Sequence, residues 1–148
     1  MAQPDIANLI ERSAAELVRL WAQAVRADAG ITSDGDLSEG GLVDHVPAMI
    51  EEICELLRTG ARPAGENTRE SRVHAYTRFR QGYRARDLIR ESSHLRLILI
   101  DHVHDKLRSR AADERRGAYH EAARAINLYL DEEMRYAVSI YTEELKPA

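Results

Sequence analysis

Apolar residues along this chain recur at intervals of three and four, the spacing of amphipathic helices. Ile6, Leu9, Ile10, Leu17, Trp21, Ala24 and Val25 share one face of a helix predicted from about Pro4 to about Asp28, with Pro4 in its tolerant first turn and Gly30 at its end. Val43, Val46, Ile50, Ile53 and Leu57 follow a 3-4-3-4 spacing, a narrow seam for packing on other helices. A third helix runs from about Thr68 to Gln81 and stops at Gly82. A fourth runs from about Ala85 to Arg108, with Leu88, Ser92, Leu95, Leu99 and Val103 on one side and Ile89, Ile98 and Ile100 widening the stripe. A fifth, from about Asp113 to Leu145, presents Tyr119, Ala123, Ile126, Leu130, Met134, Val138 and Tyr141. At 1.5 Å per residue it is about 50 Å long unless Gly117 breaks it, so one end is expected to project.

The punctuation agrees with this layout. All four prolines (Pro4, Pro47, Pro63, Pro147) fall at candidate ends, and Ala, Leu, Arg and Glu dominate between the last two, which favours helices and predicts no sheet. Gly30–Gly41 is rich in turn formers and reads as a mobile loop. Asp44 is placed to cap the next helix, with Pro47 in its first turn, and Gly60 closes that helix. Asn67 and Glu70 have the spacing of a capping box. The fold class is all-α: a single domain over residues 1–148, an antiparallel bundle of four to five helices with a long C-terminal helix.

Composition narrows the function. Of 148 residues, 21 are basic and 25 acidic, a formal charge of −4, which lacks the basic footprint of a nucleic-acid or anionic-membrane binder. No apolar run approaches the roughly 18 residues of a spanning helix, and the N-terminal segment carries acids where a signal peptide is apolar, so a cytoplasmic location is expected. The single cysteine, Cys54, lies in an apolar stripe and reads as a small buried thiol.

Six histidines invite a metal reading, and Glu91 and His94 have the Glu-x-x-His spacing of di-iron bundles. The second such motif is missing, and His102 and His104 point about 200° apart on a helix. Ser93-His94-Leu95-Arg96 lacks the acid and the proline of a sensor-kinase histidine box, and the His-x-x-Lys-Gly signature of a phosphotransfer domain does not occur. No glycine-rich nucleotide loop and no specific serine or cysteine triad is present, so no enzyme and no cofactor is expected. His74 and Arg78 share a helix face at i, i+4, and a hairpin at Gly82 and Tyr83 brings Glu91 alongside. That polar cluster can hold two helices in register, and His74 within it can titrate and bias a packing equilibrium.

The same residues carry a family resemblance. His74, Arg78, Gly82, Tyr83, Glu91, Leu95 and Arg96, with Trp21 and the Leu42-Val-Asp44-His45-Val-Pro47 element upstream and Ala125–Thr142 downstream, resemble the RsbRD N-terminal domain family, covering nearly the whole chain. Two positions depart from its pattern. Ser92 stands where an aromatic is expected, which predicts a locally different interior, and Arg84 replaces the serine or threonine that often starts the fourth helix, which predicts a less sharp turn. The resemblance implies a globin-like fold without haem and a non-catalytic sensory or regulatory module, either a co-antagonist of the stress-regulator kinase RsbT or an input domain of a bacterial sensor histidine kinase. It implies His74, Arg78, Glu91 and Arg96 as a signal-binding or structural cluster, and Trp21, Asp44, His45, Pro47, Gly82, Tyr83 and Leu95 as structural motif residues. A homodimer is expected, its last helix transmitting packing shifts to an output domain or partner kinase, either within a longer protein or in trans. The alternatives are a helical sensor of a small molecule or cofactor and, behind it, a histidine phosphotransfer module.

Overall fold

The computed structural model describes residues 2–145, with side chains from 6 to 143; Met1 and residues 146–148, including Pro147, lie outside the described residues. The helices are α1 (Ala2–Arg12), α2 (Ala14–Ala27), α3 (Glu39–Val43), α4 (Val46–Thr59), a 3₁₀ turn (Gly65–Thr68), α5 (Arg69–Arg80), α6 (Ala85–Lys106) and α7 (Ala112–Leu145). No strand occurs among the described residues. The main apolar core joins α1, α2, α4, α6 and α7, and a smaller cluster of Ala75, Leu88 and Ala137 lies where α5, α6 and α7 meet.

The single helix expected from Pro4 to Asp28 is two helices. Ser13 leaves the helical region (φ −108°, ψ 10°), its amide turns back to the Ile10 carbonyl at 3.1 Å, and α2 starts with Leu17 donating to the Ser13 carbonyl. The bend lets α1 pack on α4 and α7 while α2 packs chiefly on α6. Gly60, at φ 70°, closes α4 in the left-handed conformation that glycine adopts without strain.

Gly30–Gly41 is held down along its length rather than free. Ile31 and Asp34 are buried. The buried Asp87 carboxylate, in the first turn of α6, accepts the Thr32 amide (3.2 Å), the Ser33 amide (3.1 Å) and the Ser33 hydroxyl (2.6 Å). Arg26 donates to the carbonyls of Asp34 and Leu37, and Ser38 caps α3 by accepting the Gly41 amide at 3.0 Å. These partners lie up to 55 residues away, so local turn composition did not reveal them.

Two expected caps are replaced. Asp44 ends α3 instead of starting α4; His45 precedes α4 with no side-chain cap, and Pro47 occupies the first turn. Asn67 and Glu70 form no capping box with each other. Asn67 accepts the Ala64 amide at 2.7 Å, and the Glu70 amide donates to the Glu52 carboxylate at 3.0 and 3.1 Å. A carboxylate from α4 thus satisfies a free amide at the start of α5, where the helix dipole favours negative charge.

The α6 stripe Leu88, Ser92, Leu95, Leu99 and Val103 is buried, but Ile89 is 48% exposed and lies outside it. In α7, unbroken at Gly117, the buried face is Ala118, Ala122, Ile126, Tyr129, Leu130, Glu133 and Ala137. It is turned from the expected stripe: Tyr119, Ala123, Met134 and Tyr141 are half-buried and Val138 is 60% exposed. Small residues and one acid face inward, so a search for large apolar side chains selected a neighbouring face. The projecting end is the N-terminal one, since most of Ala112–Gly117 is exposed while packing on α7 continues to Tyr141.

Replacing Asp87 by alanine strands the amides of Thr32 and Ser33. The expected loss is about 1–3 kcal/mol in urea unfolding, with faster hydrogen exchange confined at first to residues 31–33.

Candidate functional site

The hairpin between α5 and α6 is built from its turn outward. Gly82 adopts φ 80°; the Gly82 amide donates to the Phe79 carbonyl (3.1 Å) and the Tyr83 amide to the Arg78 carbonyl (2.9 Å). This is the paired closure of a Schellman motif, which needs glycine at the left-handed position. Arg84 brings no capping side chain, yet the turn stays tight because its amide donates to the Ser33 hydroxyl at 3.2 Å. The Ser33 hydroxyl thus satisfies the amide of residue 84 itself rather than a first-turn amide of α6.

This hairpin brings His74, Arg78 and Glu91 together. Arg78 Nε donates to both Glu91 oxygens (3.1 and 3.3 Å), and Nη1 donates to Gln81 Oε1 (3.0 Å) and the Gly41 carbonyl (3.3 Å). Nη2 donates to the Leu42 carbonyl, and the guanidinium lies 4.9 Å from the centre of the Tyr83 ring. His74 Nε2 is 3.3 Å from Glu91 Oε1. Across the helix, the Trp21 indole donates to the Glu91 backbone carbonyl at 3.0 Å. His74, Arg78 and Glu91 are all at most 3% exposed.

Arg96 is not part of this centre. One turn beyond Glu91 it points to α7, donating to Asn127 and lying 3.4 Å from Asp131. Of the motif residues, Trp21, Tyr83 and His45 border the centre; the His45 ring meets that of His74 edge-on at 6.3 Å. Leu95 belongs to the apolar core, while Asp44 and Pro47 are exposed.

Glu133 of α7 completes the centre and was missed by the sequence reading. It is 1% exposed, and its Oε2 has no hydrogen-bond partner. It faces Ser92, the residue that replaces an expected aromatic, although the two make no well-formed hydrogen bond. The signal was present: Ile126, Leu130, Glu133 and Ala137 form a 4-3-4 seam with one acid on it. Tyr129, one turn earlier, donates its hydroxyl to Glu52, and Tyr141, two turns later, donates to the Tyr83 carbonyl at 2.6 Å.

The electrostatics follow from two carboxyls beside one guanidinium. Burial opposes ionisation of Glu91, but His74 and Arg78 outweigh it and hold the carboxyl below its usual range. Burial, reinforced by the Glu91 charge, pushes Glu133 up to about 8. Burial also lowers His74, against the pull of Glu91. The interior therefore favours ionised Glu91, protonated Glu133 and neutral His74.

The other histidines are dispersed. His94 lies 2.7 Å from Asp28, which also accepts from Arg90 (2.7 and 3.1 Å) and the Gly30 amide (2.8 Å). His102 meets the Leu9 carbonyl and His104 the Tyr119 ring. Glu91 and His94 thus turn to different partners, and no group of three or more metal-ligating side chains forms among the described residues. Cys54 is buried, and burial raises its thiol to about 11. No helix among the described residues is long and apolar enough to cross a membrane.

A family model described as the RsbT co-antagonist protein rsbRD N-terminal domain matches residues 15–146. The match does not bear out the input-domain role in sensor histidine kinases. Searches of curated proteins and of solved structures return no match.

The signs of the three shifts fix a pH profile. Glu133 binds a proton in the folded state between its ordinary 4.5 and about 8, so its contribution falls as pH rises through that window. His74 resists protonation in the folded state, so its contribution falls as pH drops below its ordinary 6.5. Glu91 adds a further loss below its ordinary 4.5. Each proton is worth about 1.4 kcal/mol per pH unit. Just below 6.5 the His74 slope opposes the Glu133 slope, flattening the rise of the urea midpoint there. In His74→Gln only the Glu133 slope remains there, and the midpoint is expected to climb as pH falls across that window.

Proposed function

The chain belongs to the RsbRD N-terminal domain family, a stress-response regulatory family, and from that membership we propose that it is a non-catalytic module that controls a protein partner through helix packing. The family match over residues 15–146 carries this reading. The geometry supports it: the polar centre is closed to solvent and joins α3 to α5, α6 and α7, an arrangement suited to fixing helix positions.

In this reading the domain works in the cytoplasm as a homodimer. Ile89 and Leu97 of α6 and Val138 of α7 are 48%, 57% and 60% exposed, and supply the apolar surface for the second copy. The partner is a kinase or output domain of a stress pathway, and α7 carries the change in packing to it.

Sedimentation equilibrium is expected to give twice the chain mass, and Leu97→Glu combined with Val138→Glu to give monomer with unchanged helix content. A wild-type monomer at tens of micromolar would overturn the dimer. Deleting the gene is expected to alter the induction of stress-response genes; unchanged induction would overturn the regulatory role.

A further inference from the structure

The centre holds two buried carboxyls and a single guanidinium, each of whose three nitrogens already has an acceptor. Arg78 directs its donors to Glu91, Gln81 and the Gly41 and Leu42 carbonyls. Among the described residues no cation forms an ion pair with Glu133; the Arg78 charge favours its ionised form only from a distance, and burial and Glu91 outweigh it. The groups acting on it are Arg78 from α5, Glu91 and Ser92 from α6, and Tyr129 from α7 itself; Glu52 bonds Tyr129, and His74 bonds Glu91, one contact further out. His45, 20% exposed at the start of α4, touches Asp44, Glu70 and Thr77 on its outer side and the His74 ring on its inner side. It lies between solvent and the centre.

We infer that this centre is a proton-binding site, with Glu133 as the acceptor, and that occupancy of the site sets how firmly α7 packs against α5 and α6. The inference deepens the regulatory reading, on which it rests for its consequence in signalling: the ligand sensed is the proton. Loss of the proton breaks the O–H bond of the Glu133 carboxylic acid, leaves the electron pair on its oxygen and transfers the proton to solvent base. The carboxylate then lies buried beside ionised Glu91, which is unfavourable until Glu133 reaches water. Its helix is tied on either side, at Tyr129 to Glu52 and at Tyr141 to the Tyr83 carbonyl. Hydration of Glu133 therefore requires α7 to shift or open between those ties. The register along the helices places this step between the main core (Leu95, Leu130) and the small cluster (Leu88, Ala137), where α7 contributes no buried apolar residue.

Trp21, the sole tryptophan, reports on the centre through its hydrogen bond to the Glu91 carbonyl. The test follows the glutamate side-chain carboxyl carbons by NMR from pH 5 to 9.5 in the intact protein, together with Trp21 emission and amide exchange along α7. One glutamate is expected to titrate near 8, and that transition is expected to be absent in Glu133→Gln. Trp21 emission should change with the same midpoint. Exchange of α7 amides between Ile126 and Tyr141, corrected for its intrinsic pH dependence, should speed up about tenfold per pH unit from 6.5 to 8 and then level off. Both responses should be flat in Glu133→Gln. If that variant fails to fold, Ser92→Ala replaces it and is expected to move the midpoint upward, because Ser92 favours the ionised form of Glu133. Titration of every glutamate below pH 6, or a titrating Glu133 with no change in α7 exchange, would overturn the inference and leave partner regulation standing. Loss of partner regulation with this titration intact would overturn the regulatory reading alone.

Discussion

The Arg78 guanidinium is the contact on which the arrangement of helices depends. Its position in α5 is fixed by the hairpin closure at Gly82 and Tyr83, and it ties together segments that no short-range force connects: the Gly41 and Leu42 carbonyls before α4 and the Glu91 carboxylate of α6. Arginine suits this role because its planar donors stay charged and can serve several acceptors at once. Buried ion pairs of this kind add little net stability against an apolar replacement, but removing one partner costs several kcal/mol, because the other charge stays buried and unpaired. The constraint therefore selects one helix arrangement more than it deepens the well.

Glu91 meets the constraint from three directions. His74 and Arg78 reach its carboxylate, and the Trp21 indole reaches its backbone carbonyl. A second carboxyl, Glu133, enters opposite Ser92 and stays protonated because it is buried beside the Glu91 charge. The proposed regulation by packing rests on this imbalance. A core built only of leucine and alanine has one state at all pH values, whereas an interior with one proton-dependent charge has two.

Much of this was legible in the sequence, and the rest was hidden for physical reasons. Glycine placement located the ends of α4 and α5, and the i, i+4 pair His74 and Arg78 with the turn at Gly82 pointed to Glu91. The errors came from long-range partners. Gly30–Gly41 looks mobile until Asp87, some 55 residues on, accepts its amides, and the start of α5 is held by Glu52 instead of its own Asn67. Arg96 carries the family motif but points to α7, because a separation of five residues from Glu91 turns it well away from the Arg78 side. Glu133 was overlooked because an acid on a helix is ordinarily taken for surface, and only its place on the 126-130-133-137 seam marked it as interior.

The central claim is that Arg78 and Glu91 act as one coupled unit holding α5 and α6 to α3. A double-mutant cycle on Arg78→Met and Glu91→Met, measured by urea unfolding at pH 6, tests it most directly. Each single variant is expected to lose roughly 3–5 kcal/mol, and the double variant to lose much less than their sum, since removing both charges leaves none buried and unpaired. Single losses below about 1 kcal/mol that simply add would show that the two side chains act independently, and would contradict the account.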